Sequence, residues 1–336
     1  MTENLINTED FSLRLRGKSV DLETQRLLIT NLINTEQEND LTEPANCNGF
    51  GRIRHFRRAT SKGWPENPLP IDPACKTMGF PTAEILKAQV FQNASCNWRC
   101  WYCFVPFQLL AGNLKYSAWM SASDLIDLYL AENEAPYVID LTGGQPDLVP
   151  EWVPWMMKEL TKRGLNDQVY LWSDDNLSND YFWRYLSDED RQLVLDYKNY
   201  GRVCCFKGFD EESFSFNTKA DPALFDNQFR LFERFVELGI DIYGYATFTT
   251  PNLKSVDSGI PNFIDKLQSI HKFLPLRVVP LEIAVFTPVK NRLTTAIQNS
   301  MAHQQKAIEL WNREIEDRFS STQREMNITD ICLSGS

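Results

Sequence analysis

Three cysteines, Cys96, Cys100 and Cys103, share one short run, Phe91-Gln-Asn-Ala-Ser-Cys96-Asn-Trp-Arg-Cys100-Trp-Tyr-Cys103-Phe. Thiolates spaced Cys-x3-Cys-x2-Cys can wrap a cubane iron–sulfur cluster, holding three irons and leaving the fourth without a protein ligand. An open iron lets a small molecule coordinate the cluster. Two other fates fit three neighbouring thiols. A structural zinc ion takes four ligands, so Cys47 or Cys75 would have to complete the set, as no His lies near the loop in sequence. Three buried, inert thiols are the other alternative, though a solvent-side loop suits them poorly. Eight cysteines in 336 residues are too few for a disulfide scaffold, and their grouping suggests metal ligation.

Further groups able to bind polar ligands recur downstream. Ile139-Asp-Leu-Thr142-Gly143-Gly144-Gln145-Pro146 pairs two glycines, where backbone can approach a ligand closely. Leu171-Trp-Ser173-Asp174-Asp175-Asn176 offers hydroxyl, carboxylate and amide groups that can bond ligand hydroxyls or cap a following helix. In Val203-Cys204-Cys205-Phe206-Lys207 the two cysteines must point to opposite faces of a strand. At least one is core packing, and an inward one is a candidate hydrogen-atom donor. Phe286-Thr-Pro288-Val-Lys-Asn-Arg292 stands where it could close a pocket, but Lys290 and Arg292 read as solvated loop.

The elements that must position these groups alternate regularly. Strand patterns run over 86–92, 137–141, 168–172, 202–206, 241–248 and 277–286, each rich in Val, Ile, Leu, Tyr or Phe and bounded by polar or turn residues. Helical stripes lie between and after them: Phe225, Phe229, Phe232 and Val236; Phe263, Leu267, Ile270 and Leu274; and a long run through Ile297, Met301, Ile308, Trp311, Ile315 and Phe319. Six strand–helix units imply an α/β fold with a parallel sheet, fewer strands than the eight of a closed barrel. The expected architecture is a partial (β/α)6 TIM-like barrel. Residues 1–85 form a loop-rich N-terminal extension, 86–290 the barrel, and 291–336 a long C-terminal helix and tail. The Pro-rich stretch 64–73 is expected to be loop. Ligands should bind at the carboxyl ends of the strands.

The cysteine spacing, with aromatic Tyr102 before the last cysteine, resembles the signature of the radical S-adenosylmethionine (SAM) superfamily. The resemblance implies that the methionyl amine and carboxylate of SAM chelate the open iron of a [4Fe–4S] cluster. Reductive cleavage then gives a 5′-deoxyadenosyl radical that abstracts hydrogen from substrate. Thr142-Gly143-Gly144-Gln145 is similar to that family's Gly-Gly-Glu segment, with Gln in place of Glu. Ser173 and Asp174 match the region where activating-enzyme-like members place Thr-Asn-Gly. Lys207 matches the lysine of the Asp-Leu-Lys segment in the pyruvate formate-lyase activating enzyme-like branch, although Cys205 replaces its acidic residue. Tyr102, Thr142, Gly143, Gly144, Gln145, Ser173, Asp174 and Lys207 are therefore the expected SAM-binding positions, with Cys96, Cys100 and Cys103 on the metal. A reductant such as flavodoxin or ferredoxin is implied, with a small molecule, nucleotide or protein as substrate. The alternatives are activation of a glycyl-radical partner, and an iron–sulfur redox sensor or structural cluster that leaves SAM intact. No second cysteine cluster follows the barrel, which disfavours the peptide-modifying subfamilies with auxiliary clusters.

Composition narrows the class. Hydrophobic residues make up 43% and charged residues 24%, as in soluble globular proteins. No apolar run suits a membrane span and the polar start of the chain is not a secretory signal, so a cytoplasmic location is expected. A net charge of −11 argues against general affinity for nucleic acid or anionic membrane. Against this background Arg52, Arg54, Arg57, Arg58 and Lys62 concentrate positive charge. Such a run is ordinarily a solvated face, and the sharper reading is an anion site for substrate phosphate or carboxylate. On that reading Arg57 and Arg58 are the residues expected to matter for turnover.

Overall fold

The computed structural model describes residues 5–333; positions 1–4 and 334–336, at the outer ends of the first and last expected segments, lie outside the described residues. The described strands are β1 (Val20–Asp21), β2 (Arg26–Thr30), β3 (Gly51–Arg57), β4 (Ile85–Gln92), β5 (Ser117–Ser121), β6 (Val138–Thr142), β7 (Tyr170–Asp175), β8 (Tyr200–Phe206), β9 (Ile242–Thr247) and β10 (Val278–Leu281). The sheet order is β10-β9-β8-β7-β6-β4-β3, and a small antiparallel sheet β1-β2-β5 stands apart. β4, β6, β7, β8, β9 and β10 pair in parallel. These six are the expected strands, and with their crossover helices they form a partial TIM-like barrel. β6 and β8 are buried along their whole length, which explains their near-continuous apolar sequences.

The seventh strand, β3, comes from the segment expected to be loop-rich. It pairs antiparallel with β4 from Gly51↔Phe91 to Arg57↔Ile85. Two further expectations are corrected. The stretch 64–73 is not all loop, because the helix Ile71–Met78 begins inside it. Pro73 sits in its first turn, where the missing N–H costs nothing. The strand expected over 277–286 stops at Leu281. Beyond it the Gln304 side chain bonds both the N–H and the carbonyl of Ile283, each at 3.0 Å, taking the place of a neighbouring strand.

The alternation of side chains divides the sheet into two faces. Outward residues such as Leu141, Leu171, Phe206 and Ala246 pack beneath the helices Trp152–Lys162, Phe225–Leu238 and Val256–Ile270. Trp311, on the long helix Thr295–Arg318, closes over Phe248 and Phe263. Inward residues line the lumen. Its lower part is filled by Leu86, Val138, Tyr170, Trp172, Val203 and Tyr243, and Ile71, Ala74 and Cys75 of the short helix plug that end. The carboxyl end of the lumen is left polar.

One charged cluster sits within the outer layer. Arg202 of β8 bonds Asp175 at 2.9 Å and also Asp147, with its guanidinium 4.3 Å from the Phe235 ring. Burial pushes the Asp147 carboxyl up to about 7, with Arg202 pulling the other way. Removing one partner of a buried ion cluster strands the rest. Arg202→Leu is expected to cost about 3–5 kcal/mol in urea unfolding, and adding Asp147→Asn should recover part of that loss.

Candidate functional site

The loop from Asn93 to Val105 follows β4 and is tied down from several directions. At its start Asn93 N–H donates to the Thr142 carbonyl, and its side-chain amide donates to the Gln145 carbonyl at 2.9 Å. Gln145 N–H returns a 2.7 Å bond to the Ser95 carbonyl. Further along, Arg99 and Trp101 N–H groups donate to Thr218 and Asn217 carbonyls at the end of the helix Glu211–Thr218. Trp101 Nε1 also donates to Asn217 Oδ1 at 2.9 Å. The main-chain contacts of Asn217 and Thr218 carried no signal in the sequence, because a carbonyl acceptor can come from any residue type.

Arg292 corrects the solvated-loop reading. Its guanidinium donates to the carbonyls of Trp101, Cys103 and Val105 and lies 3.8 Å from the Phe107 ring. The segment after β10 is thereby latched onto the cysteine loop, while Lys290 stays exposed.

The three cysteines are brought together. Cys96 and Cys100 are buried and Cys103 is partly open. Burial, and then the neighbouring thiols, push Cys100 up to about 12, while Lys207 acts in the opposite sense. Burial also raises Cys103, with Cys96 adding to it and Arg292 and Lys207 opposing. Arg99 and Arg292 both feel Cys100 and Cys103 electrostatically, and Lys207 feels Cys96 and Cys100. Asn176 Nδ2 approaches Cys96 Sγ at 3.8 Å, a contact that neither the ligand-hydroxyl nor the helix-cap reading of Asn176 foresaw.

Three thiols ringed by three cations suit an anionic metal centre, since metal binding replaces protons that burial otherwise retains. Among the described residues no three His, Cys, Asp or Glu side chains converge as ligands of a single ion. Mononuclear zinc draws its thiolates to one centre at about 2.3 Å. A cubane takes one thiolate per iron, so its ligands stand apart. The suggested fourth zinc ligands also lie elsewhere: Cys47 N–H bonds Glu132, and Cys75 Sγ is 3.7 Å from the Tyr137 hydroxyl at the plugged end. With Cys47 and Cys75 engaged elsewhere, the donors on the loop are three thiols, the number that a cluster with one open iron would take from the chain.

The expected SAM-binding positions divide. Tyr102, Thr142, Gly143, Gly144, Asp174 and Lys207 gather at the carboxyl edge, and all but Thr142 keep some surface open. Tyr102 Oη lies 3.4 Å from Thr247 Oγ1, and Thr142 donates to Asp174. Lys207 stands among Cys205, Tyr102, Cys100 and Cys96; burial lowers its affinity for protons, but these neighbours outweigh it and raise it overall. Ser173 is a correction: it points outward to the Tyr200 hydroxyl at 2.8 Å, since it shares the face of Leu141. Gln145 turns away as well, its amide donating to Asp175 at 2.7 Å and accepting from Asn176 N–H at 2.9 Å. Its contribution is to hold the Gly-Gly turn. Cys204 is buried in the outer layer, and Cys205 faces the lumen.

The basic run divides in the same way. Arg52, Arg54 and Phe56 point inward, whereas Ile53, His55 and Arg57 point out, and His55 meets Glu43 at 2.6 Å. Arg58 is engaged by Asp72. Arg57 is exposed, as the solvated-face reading expects, and Arg58 braces the helix Ile71–Met78.

A scan of protein-family models finds no match to the chain, and a search of curated proteins finds none. Solved structures with a similar fold include Streptococcus suis SuiB bound to precursor peptide SuiA, at 16% identity, TM-score 0.38, 53% of this chain and 36% of that one. SuiB bound to S-adenosylmethionine matches at 16% identity and TM-score 0.38 over 53% of this chain and 37% of that one. Polyhistidine-tagged anSMEcpe with bound AdoMet matches at 16% identity and TM-score 0.38 over 52% of this chain and 45% of that one. The matched part spans less than half the length of each of these proteins. Among the described residues no helix is long and apolar enough to cross a membrane.

Two measurements follow from this geometry. A Cβ on Gly144 would meet the Ser95 carbonyl oxygen and lie 2.6 Å from that of Asn93. Gly144→Ala is therefore expected to cost about 1–3 kcal/mol and to lower the iron bound per chain after reconstitution. The second concerns Asp140, which is fully buried in the lumen. Burial, then Asp174, raise its carboxyl from 3.8 to about 7 against the pull of Arg54 and Arg52. The folded chain keeps this proton where the unfolded chain loses it, so the stability contribution is present below about pH 4 and is lost as pH rises through about 7. Asp140→Asn should unfold at the same urea concentration as the parent near pH 4 and at a higher one at pH 8.

Proposed function

We propose that this chain is a radical SAM enzyme whose [4Fe–4S] cluster is held by Cys96, Cys100 and Cys103. The observation carrying this reading is the thiol triad on one braced loop, ringed by Arg99, Lys207 and Arg292, beside an open Gly143-Gly144 turn. When bound, the reduced cluster and SAM together supply a 5′-deoxyadenosyl radical for hydrogen abstraction. The chain's own residues bind, aim and shield.

In this reading Gly143 and Gly144 offer backbone to the methionyl amine. Lys207 offers its ammonium to the carboxylate, a charge-assisted contact that a cation makes well from a half-buried position. Asp174 accepts from Thr142 and holds that hydroxyl at the rim of the opening. Tyr102 and Thr247 border the same opening. The aromatic floor of Tyr170, Trp172 and Tyr243 keeps water from the far end of the lumen. Electrons would come from a flavodoxin or ferredoxin. The affinity to the pyruvate formate-lyase activating enzyme-like branch is supported by Lys207 and by the place of Asp174.

Anaerobically reconstituted protein with dithionite and SAM should release 5′-deoxyadenosine, and Cys100→Ala should release none. Bound iron with intact SAM would favour the sensor reading. A chain that takes up zinc in place of iron would remove both.

A further inference from the structure

The inner face of β3 carries a charge that the structure does not use. Arg52 is 5% exposed, and among the described residues its Nε and Nη2 atoms have no hydrogen-bond partner. Its neighbours are otherwise committed. Arg54 Nη1 donates to Asp140 Oδ2 at 3.3 Å and its guanidinium lies 4.1 Å from the Phe56 ring. Thr142 donates to Asp174 Oδ2. The remaining oxygens of both carboxylates, Asp140 Oδ1 and Asp174 Oδ1, are buried and likewise without partners among the described residues.

Orphaned atoms of this kind are rare inside folded proteins, and a buried guanidinium with unfilled donors is costly even where, as here, Asp140 and Asp174 attract it electrostatically. Burial lowers the proton affinity of Arg52 to about 10, and the like charge of Arg54 adds to the effect, so it remains a cation at neutral pH. Its guanidinium lies 5.1 Å from the ring of Phe104, the residue after Cys103. A molecule anchored there would lie in the lumen directly beneath the cysteine loop. The register agrees: Arg52 pairs with Val90, which pairs with Asp140, so the free donors and the Asp140 acceptor share one level across three strands, and Asp174 stands two residues beyond that level on β7.

We propose that Arg52 anchors an oxyanion of the substrate, a carboxylate or phosphate, while the free oxygens of Asp140 and Asp174 receive hydroxyl or ammonium donors of the same molecule. A guanidinium presents parallel N–H groups that match either oxyanion. The two carboxylates limit the site to ligands that also bring donors, which excludes a purely anionic partner. Calling this ligand the substrate rests on the radical SAM reading; the oxyanion site itself does not.

The test uses the anaerobically reconstituted chain, titrated calorimetrically with inorganic phosphate and, separately, with glycolate, each of which brings a hydroxyl donor beside its oxyanion. One of the two should bind saturably, which also separates phosphate from carboxylate substrates. Arg52→Gln should weaken that binding by at least about tenfold, and Arg57→Gln, exposed on the opposite face, should leave it unchanged. Should Arg52→Gln fail to fold, Arg52→Lys carries the comparison, with weaker binding expected because a point charge replaces the fork. Binding of neither anion, or equal binding in the Arg52 variants, overturns the proposal. So does competitive displacement of the anion by saturating SAM, which would assign Arg52 to the cofactor's own carboxylate. Release of 5′-deoxyadenosine from the same preparation reports separately on the radical SAM reading.

Discussion

The close approach of two backbone segments, 93–96 and 143–145, is the constraint on which the rest of this site depends. Strands of a parallel sheet end with unpaired N–H and carbonyl groups, and those groups must find partners in the loops that follow. Here the loop after β4 and the loop after β6 satisfy each other, through Asn93 to Thr142 and Gln145 and through Gln145 to Ser95. Gly144 makes the approach possible, since any side chain would drive into two carbonyl oxygens. The cysteine loop therefore inherits its position from the sheet. Asn217 and Arg292 then fix its outer turns from the β8 and β10 sides of the barrel.

Two sets of buried charges on either side of the sheet show opposite treatments of the same chemistry. On the outer face Arg202 faces two carboxylates, and Gln145 spends its amide on one of them. That network is nearly closed, and it stiffens the turn it borders. On the inner face Arg52, Arg54, Asp140 and Asp174 are equally matched in number yet leave three polar groups unanswered. A protein that only needed rigidity would have closed the second network too. Leaving it open costs stability, a cost that functional sites commonly carry.

Much of this was legible in the sequence, for physical reasons that also explain what was not. The six parallel strands announced themselves because strands buried on both faces are mostly apolar, even where single polar residues such as Gln89, Asp140 and Arg202 interrupt them. The cysteine triad was legible because ligation fixes both residue type and spacing. β3 was hidden: Gly51-Arg-Ile-Arg-His-Phe-Arg57 reads as a charge run, yet its inward members recur every second residue. A period of two in a basic segment was the available signal, and it would have separated Arg52 and Arg54 from Arg57. Ser173 was misplaced by one residue of the same alternation, which puts Asp174 inside and its neighbour outside. Arg292 was not legible at all, because its partners are main-chain carbonyls far away in sequence.

The departure of Gln145 from a Gly-Gly-Glu pattern follows from the outer network. Its side chain must donate to Asp175 and accept from Asn176 N–H, and a neutral amide does both at once. A carboxylate in that position could accept but not donate. It would also add a third negative charge beside Asp147 and Asp175, with only Arg202 buried among them. The amide thus adds no further negative charge where one buried arginine already faces two aspartates. Because the turn's ligand-facing groups are backbone, this exchange leaves them untouched. The side chain at 145 answers to the scaffold, and the main chain at 143 and 144 answers to the site.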